Sequence, residues 1–242
     1  LHRGPERGGV LVSPSAVHYI PIATTILSTI FAAEIFRRYR EHPDRLHLLW
    51  WAIGIATYGV GTFTESATTL IGWNEPTFRA WYISGALLGG APLAQGTVYL
   101  LLSKKTAHIL TALLVSFVVV ASVAVILSPI DYSQVEAHRL TGRVFAWQWV
   151  RAFSPFVNIY AVVFLIGGAI LSAMRYAGNP ATRHRVTANV LIALGAILPG
   201  IGGTATRMGY TEVLYVMELI GLLLTWTGYR MSIRPFAVVA PA

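Results

Sequence analysis

The chain has 242 residues, of which 55% are hydrophobic and only 12% charged, against about 25% charge in an ordinary soluble domain. Apolar side chains in that proportion cannot all be hidden in a core of this size and need lipid as solvent. The formal charge of +8 does not point to nucleic acid, because the basic residues sit in short clusters between apolar segments, and the lack of cysteine excludes disulfides, thiolate metal sites and cysteine nucleophiles.

Residues 1–16, LHRGPERGGVLVSPSA, are rich in Gly, Pro and Arg and lack a signal-peptide apolar run. They read as a flexible N-terminal tail or a cloning remnant. Crossing a bilayer as a helix takes about 20 mostly apolar residues. Seven segments meet that length, at 17–36, 46–72, 78–102, 107–128, 153–174, 186–206 and 211–230. Their breakers are the run RRYREHPDR after the first, Trp73-Asn74-Glu75-Pro76 after the second, Ser103-Lys104-Lys105 after the third, Pro129 after the fourth and Gly178-Asn179-Pro180 after the fifth. The expected fold is all-α: one seven-transmembrane-helix bundle over 17–235, with a C-terminal tail at 236–242. The longest connection, 130–152, contains HRLTGRVFAWQWVRAF, which reads as a short interfacial helix.

Basic residues orient the bundle. Eleven lie on one side: Arg37, Arg38, Arg40, Arg45, Lys104, Lys105, Arg175, Arg183, Arg185, Arg230 and Arg234. Five lie on the other: Arg79, Arg139, Arg143, Arg151 and Arg207. The positive-inside rule places the N-terminus outside and the C-terminus in the cytoplasm. Tyr19, Trp73, Trp81, Trp147 and Trp149 then fit an outer aromatic belt.

One internal repeat stands out. Arg38, Tyr39, Pro43 and His47 recur without gaps at Arg175, Tyr176, Pro180 and His184, each 137 residues on, and Gly61-Thr62 corresponds loosely to Gly203-Thr204. Either loops converge on Arg, Pro and His by chance, or a three-helix unit is duplicated, with the fourth helix as linker and a site between the copies. This 3+1+3 plan resembles, at the level of architecture, SWEET and PQ-loop transporters and rhodopsin-like seven-helix proteins, and also the seven-helix sensing regions of bacterial kinases. The sequence departs from these patterns. It has no Pro-Gln pair, its only lysines are Lys104 and Lys105 in a loop, so a retinal Schiff base is excluded, and no output domain follows the seventh helix.

Ionisable residues inside lipid are costly and mark sites by default. Glu218, near the middle of the seventh span, is the strongest candidate. Glu65 follows, on a helical stripe with Gly54, Thr57, Gly61 and Thr68 that reads as either a tight helix interface or a cavity wall. Arg79, Arg151 and Arg207 are candidate partners on the same side, and Gln148, Asn158 and Tyr160 add hydrogen-bonding capacity. Glu34 is expected to snorkel or to pair with Arg37 or Arg38. Gly85, Gly89, Gly90, Pro92, Gln95 and Gly96 in the third span, and Pro199, Gly200, Gly202 and Gly203 in the sixth, suit kinks or close packing. The histidines lie at span ends or in loops, so a His47–His108 haem and a metal site from His18, Asp131, Glu136 and His138 are both disfavoured. No HExxH, Walker, GxSxG or dinucleotide fingerprint is present.

The expected function is non-enzymatic and cofactor-free: a transporter-like protein of a plasma or bacterial inner membrane. It takes a small or lipophilic ligand into an outer-half cavity between the two three-helix halves. The alternative is a seven-helix sensor, or an accessory subunit of a larger complex with a protein partner or a second copy of itself. The orientation has a direct check: a phosphatase reporter in the 130–152 connection should be active and one fused after Pro235 inactive, and the reverse pattern would overturn it.

Overall fold

The computed structural model describes residues 16–136, 139–178 and 182–233. The C-terminal tail, nearly all of the N-terminal tail, His138, and Asn179 and Pro180 of the repeat lie outside them. Helices α1 (Ile20–Glu41), α2 (Leu46–Ile71), α5 (Lys104–Leu127), α8 (Arg183–Arg207) and α9 (Thr211–Ser232) are continuous. Two further rods are irregular. One is α3 (Glu75–Trp81), a π-helical turn (Tyr82–Leu88) and α4 (Ala91–Leu101); the other is α6 (Phe153–Ala161), a π-helical turn (Val162–Ile166) and α7 (Gly167–Tyr176). Among the described residues the chain is thus all-helical, in seven rods, and six of them are long and apolar enough to cross a membrane. Their apolar side chains face outward, as in Val120 at 60% exposure and Leu127 at 63%, which suits lipid and not water.

The rod at 75–101 is broken at Gly89, whose φ of 45° and ψ of −124° are open to glycine and hostile to side chains. Pro92 in the first turn of α4 then restarts the helix where a missing N–H costs nothing. Three starts fall earlier than the apolar runs, at Glu75, Lys104 and Arg183, and in the first two a capping side chain extends the helix into polar sequence. Asn74 accepts from Thr77 N–H at 3.0 Å to open α3 at Glu75, and Ser103 accepts from Thr106 N–H at 3.2 Å to open α5 at Lys104. The connection at 130–152 is not the expected interfacial helix. It forms short 3-10 turns, Tyr132–Gln134, Gly142–Val144 and Gln148–Ala152, which lower Val144, Phe145 and Val150 into a core with Phe78, Tyr82 and Leu87. Burial in that core takes the three side chains out of water within the protein itself.

Six rods close a ring in chain order. α1 packs on α2, α2 on α3–α4, α4 on α6–α7, α7 on α8, α8 on α9, and α9 on α1. α5 stands outside the ring against α4, the π turn after α3 and the turn Gln148–Ala152. Close contacts are made through glycine. A Cβ on Gly61 would lie 3.6 Å from the Gly85 Cα, and one on Gly54 2.6 Å from the Leu93 side chain, so the small stripe of α2 is a packing surface against α3–α4. The tightest pair is α8–α9. A Cβ on Gly221 would lie 2.7 Å from the Gly195 carbonyl, and one on Gly195 2.6 Å from the Gly221 carbonyl; Gly202 and Gly228, one heptad on, meet Leu214 and Ala188 as closely. α8 runs unbroken through Pro199, whose ring packs against Gly221.

Replacing Gly221 by Leu should therefore separate the pair and lower stability on the order of 1–3 kcal/mol or more. Gly200→Leu, with nothing within 4 Å of the new Cβ, should be tolerated. Melting of both variants in mild detergent checks this, and equal melting would refute the backbone contact.

Candidate functional site

Glu65 lies six residues before the end of α2 and Glu218 seven residues after the start of α9. At 1.5 Å per residue each is about 10 Å below the long-loop end of the bundle, so their depths match. The two carboxyls lie close enough to act directly on each other. Glu65 is 4% exposed, and Trp81 Nε1 donates to its Oε1 at 3.1 Å. Tyr58, two turns from Glu65 on α2, donates from its hydroxyl to the Glu218 backbone carbonyl at 2.8 Å. Tyr215, one turn before Glu218, is buried beside the pair and meets the His18 ring edge-on at 5.9 Å. The Oε2 atoms of both glutamates are buried and have no donor. Among the described residues no lysine or arginine pairs with either carboxyl.

The other expected site residues are placed elsewhere. Arg79 is committed to Glu75, with Nη2 to Oε1 at 2.6 Å, and to the last carbonyls of α5, bonding Val125 O and, at 2.8 Å, Ser128 O. It caps that helix. Arg151 donates to Gln148 Oε1 at 2.7 Å, and Gln148 turns its own amide onto the Arg143 and Phe145 carbonyls of the long connection. Arg207 is exposed at the end of α8. Asn158 reaches the break in the third rod: its Oδ1 lies 3.1 Å from where a Cβ of Gly89 would be. Tyr160 donates to Gln95 Oε1, while Gln95 Nε2 donates to Thr111 Oγ1 at 2.7 Å and the Ala107 carbonyl at 3.1 Å. That fully buried amide ties α4 to α5 and α6. The structure thus joins Glu65 with Glu218 and separates both from Arg79, Arg151, Arg207, Gln148, Asn158 and Tyr160.

Three partners went unseen in the sequence. Trp81 is half-buried as a donor to Glu65 and is not a belt residue; Trp147 and Trp149, at 39% and 56%, are exposed as expected. Tyr58 and Tyr215 were legible in principle, since they fall at helical spacings i−7 and i−3 from the two glutamates. Glu34 does not pair with Arg37 or Arg38. It accepts from Trp226 Nε1 at 2.9 Å and Arg230 Nε at 3.1 Å, tying α1 to α9 at the opposite end. The described residues contain no group of three His or acidic residues able to hold a metal, and His108 is bonded through Nδ1 to Tyr99 at 2.9 Å.

Compared with known families, curated proteins and solved structures, the chain matches none. The likeness to SWEET, PQ-loop and rhodopsin-like proteins rests on helix number and arrangement alone.

At the long-loop end the Arg79 guanidinium, and after it the Tyr132 hydroxyl at 2.8 Å, hold the Glu75 carboxyl below the usual carboxylate range. The same bond pushes the Tyr132 hydroxyl up. A carboxyl depressed in the folded state contributes stability that is present above its unfolded pKa and lost as pH falls through its folded pKa. Glu75→Gln should remove that acid-sensitive increment. Melting curves from neutral pH down through the carboxylate range should converge at the acid end and differ at neutral pH by about 1 kcal/mol or less, since the pair is partly exposed. Parallel curves would show that Glu75 carries no such linkage.

Proposed function

We propose that this chain is a seven-span integral membrane protein of a plasma or bacterial inner membrane. Its N-terminus is outside and its C-terminus cytoplasmic. It binds a small or lipophilic molecule at the Glu65–Glu218 pair and carries it across the bilayer. The observation that carries the reading is the meeting of two buried carboxyls, one from each half of the chain, without a basic partner among the described residues. Helices in lipid can be tied by a serine or an asparagine at small cost, whereas each carboxylate placed there costs on the order of several kcal/mol if left charged. Two buried carboxyls this close need a proton on at least one of them, so this site changes charge with proton occupancy. A coupled binding site requires that property and an interhelical tie does not.

Two further features support transport. The rod at 75–101 breaks at Gly89, near its midpoint, and discontinuous helices at that depth accompany substrate sites in transporters. A second irregular rod, with a π turn at Val162–Ile166, lies directly against it, and π turns are frequent at functional positions. The ring of six rods with α5 set aside also suits a 3+1+3 duplication, with the carboxyl pair at the junction of its two halves.

The test is an uptake screen. Proteoliposomes holding the purified chain are offered a panel of labelled small molecules under an imposed pH gradient. At least one compound should accumulate, and accumulation should fall to the level of empty liposomes with Glu218→Gln or when the gradient is collapsed. Absence of uptake, together with a protein partner retained through purification in mild detergent, would replace this reading with that of an accessory subunit.

A further inference from the structure

We propose that the guest of this site is a lipophilic organic ammonium ion, taken in exchange for one proton of the Glu65–Glu218 pair. The inference rests on the reading of that pair as a binding site and assigns the chemical class of its occupant.

Charge is the first argument. The pair is acidic and under-partnered, since Oε2 of each glutamate is buried with no hydrogen-bond partner. Arg79 is spent on Glu75 and the end of α5, Arg230 on Glu34, and Arg207 is exposed at the end of α8. An anionic guest would meet two carboxyls and no cation. A neutral guest would leave the proton balance unchanged and could not draw on it. A cation supplies the missing charge and, where it bears N–H groups, the missing donors.

The walls are the second. The groups that face the pair are Tyr58 from α2, Trp81 from α3, and Tyr215 from α9, with Glu212 on the same helix end and His18 against Tyr215. Three aromatic rings around an acidic centre suit an organic cation, which binds ring faces and carboxylates together. They do not suit a hard metal ion, which takes roughly six or more oxygens. The hydroxyls nearby are already turned onto carbonyls of their own helix: Thr62, Thr64, Ser66 and Thr68 each donate within α2. Tyr58 is spent on the Glu218 carbonyl.

Access is the third. Gly85 is exposed although it sits on the face of the third rod that meets α2, and Trp81 Nε1 lies 3.8 Å from where its Cβ would be. A larger side chain there would crowd the indole edge of Trp81, the ring that bonds Glu65.

The exchange balances. Without a guest each carboxyl carries a proton and one donates to the other. On binding, one O–H bond breaks and its proton leaves to water. The remaining proton stays between the carboxyl oxygens, and the ammonium offsets the single negative charge. The site is neutral in both states, so the guest's affinity rises with pH.

The probes are benzyltrimethylammonium, its uncharged carbon isostere neopentylbenzene, and sodium chloride, added to the purified chain in detergent with a pH indicator and little buffer. Benzyltrimethylammonium should quench tryptophan fluorescence, release about one proton per cation bound and bind about tenfold more tightly per unit rise in pH. Neopentylbenzene and sodium chloride should release none. The Glu65→Gln, Glu218→Gln double variant, whose amides can still bond each other, should remain monodisperse and lose both signals. Trp81→Phe should retain proton release where Trp81→Leu weakens binding several-fold, and His18→Gln should leave the proton count unchanged. Equal binding of the isostere, or cation binding without proton release, overturns the exchange while leaving the pair as a site. Failure of the ammonium to bind at any pH overturns the inference, and the uptake screen decides the site reading independently. Proton release on sodium alone would reassign the guest to an inorganic cation.

Discussion

The contact between Gly195 and Gly221 sets the geometry on which the rest of the ring depends. Pro199 has no N–H to give the carbonyl four residues earlier, and that carbonyl belongs to Gly195. In the bundle it is met by the backbone of Gly221, whose missing side chain leaves room for a Cα–H to approach, and the reverse contact is equally close. In lipid no water would satisfy the freed group. The proline on one helix therefore requires the glycine on the other, and the two fix the distance and rotation of α8 against α9.

That rotation decides what α9 shows to its remaining neighbours. Leu214, Gly221 and Gly228 form the stripe against α8. The adjacent stripe, Tyr215, Glu218, Leu222, Trp226 and Tyr229, falls about 60–140° round the helix at 100° per residue and meets α1 and α2. α2 is arranged in the same way. Gly54 and Gly61 face α3–α4, Gly59 and Thr62 face α1 through Ser28 and Thr25, and Tyr58 and Glu65 are left for α9. Each helix thus spends glycine on its nearest partner and a polar group on the next. The carboxyl pair closes the ring at one end and Glu34 with Arg230 and Trp226 closes it at the other.

Hydropathy alone located the seven rods, because a helix in lipid must be long and apolar. The ends were misjudged where Asn74 and Ser103 cap helices in polar sequence, a signal that a hydropathy window discards. Glu65 and Glu218 stood out through the cost of charge in an apolar medium, which acts on each residue separately and needs no knowledge of neighbours. The arginines failed as partners for the opposite reason. Proximity in sequence to the same end of the bundle says nothing about which carbonyls go unpaired there, and Arg79 is drawn to the end of α5 and Arg139 to the Thr206 carbonyl at the end of α8, at 2.8 Å. The heptad spacing of Gly195 with Gly202 and Gly221 with Gly228 was in plain sight, but only the antiparallel pairing of the two helices gives it meaning.

The broken third rod separates two anchorages that a continuous helix would merge. Below Gly89, α4 is held by Gln95 to α5 and to Tyr160 of α6. Above it, α3 is held by Arg79 to the end of α5 and by Trp81 to Glu65. A change in charge at Glu65 acts directly on the Trp81 hydrogen bond, because an ionised carboxylate is a stronger acceptor than a neutral acid. The resulting pull falls on α3, and at Gly89 the backbone ladder that would pass it rigidly to α4 is interrupted. The two halves of one rod therefore answer to different partners, α3 to Glu65 and the end of α5, α4 to the packing of α5 and α6.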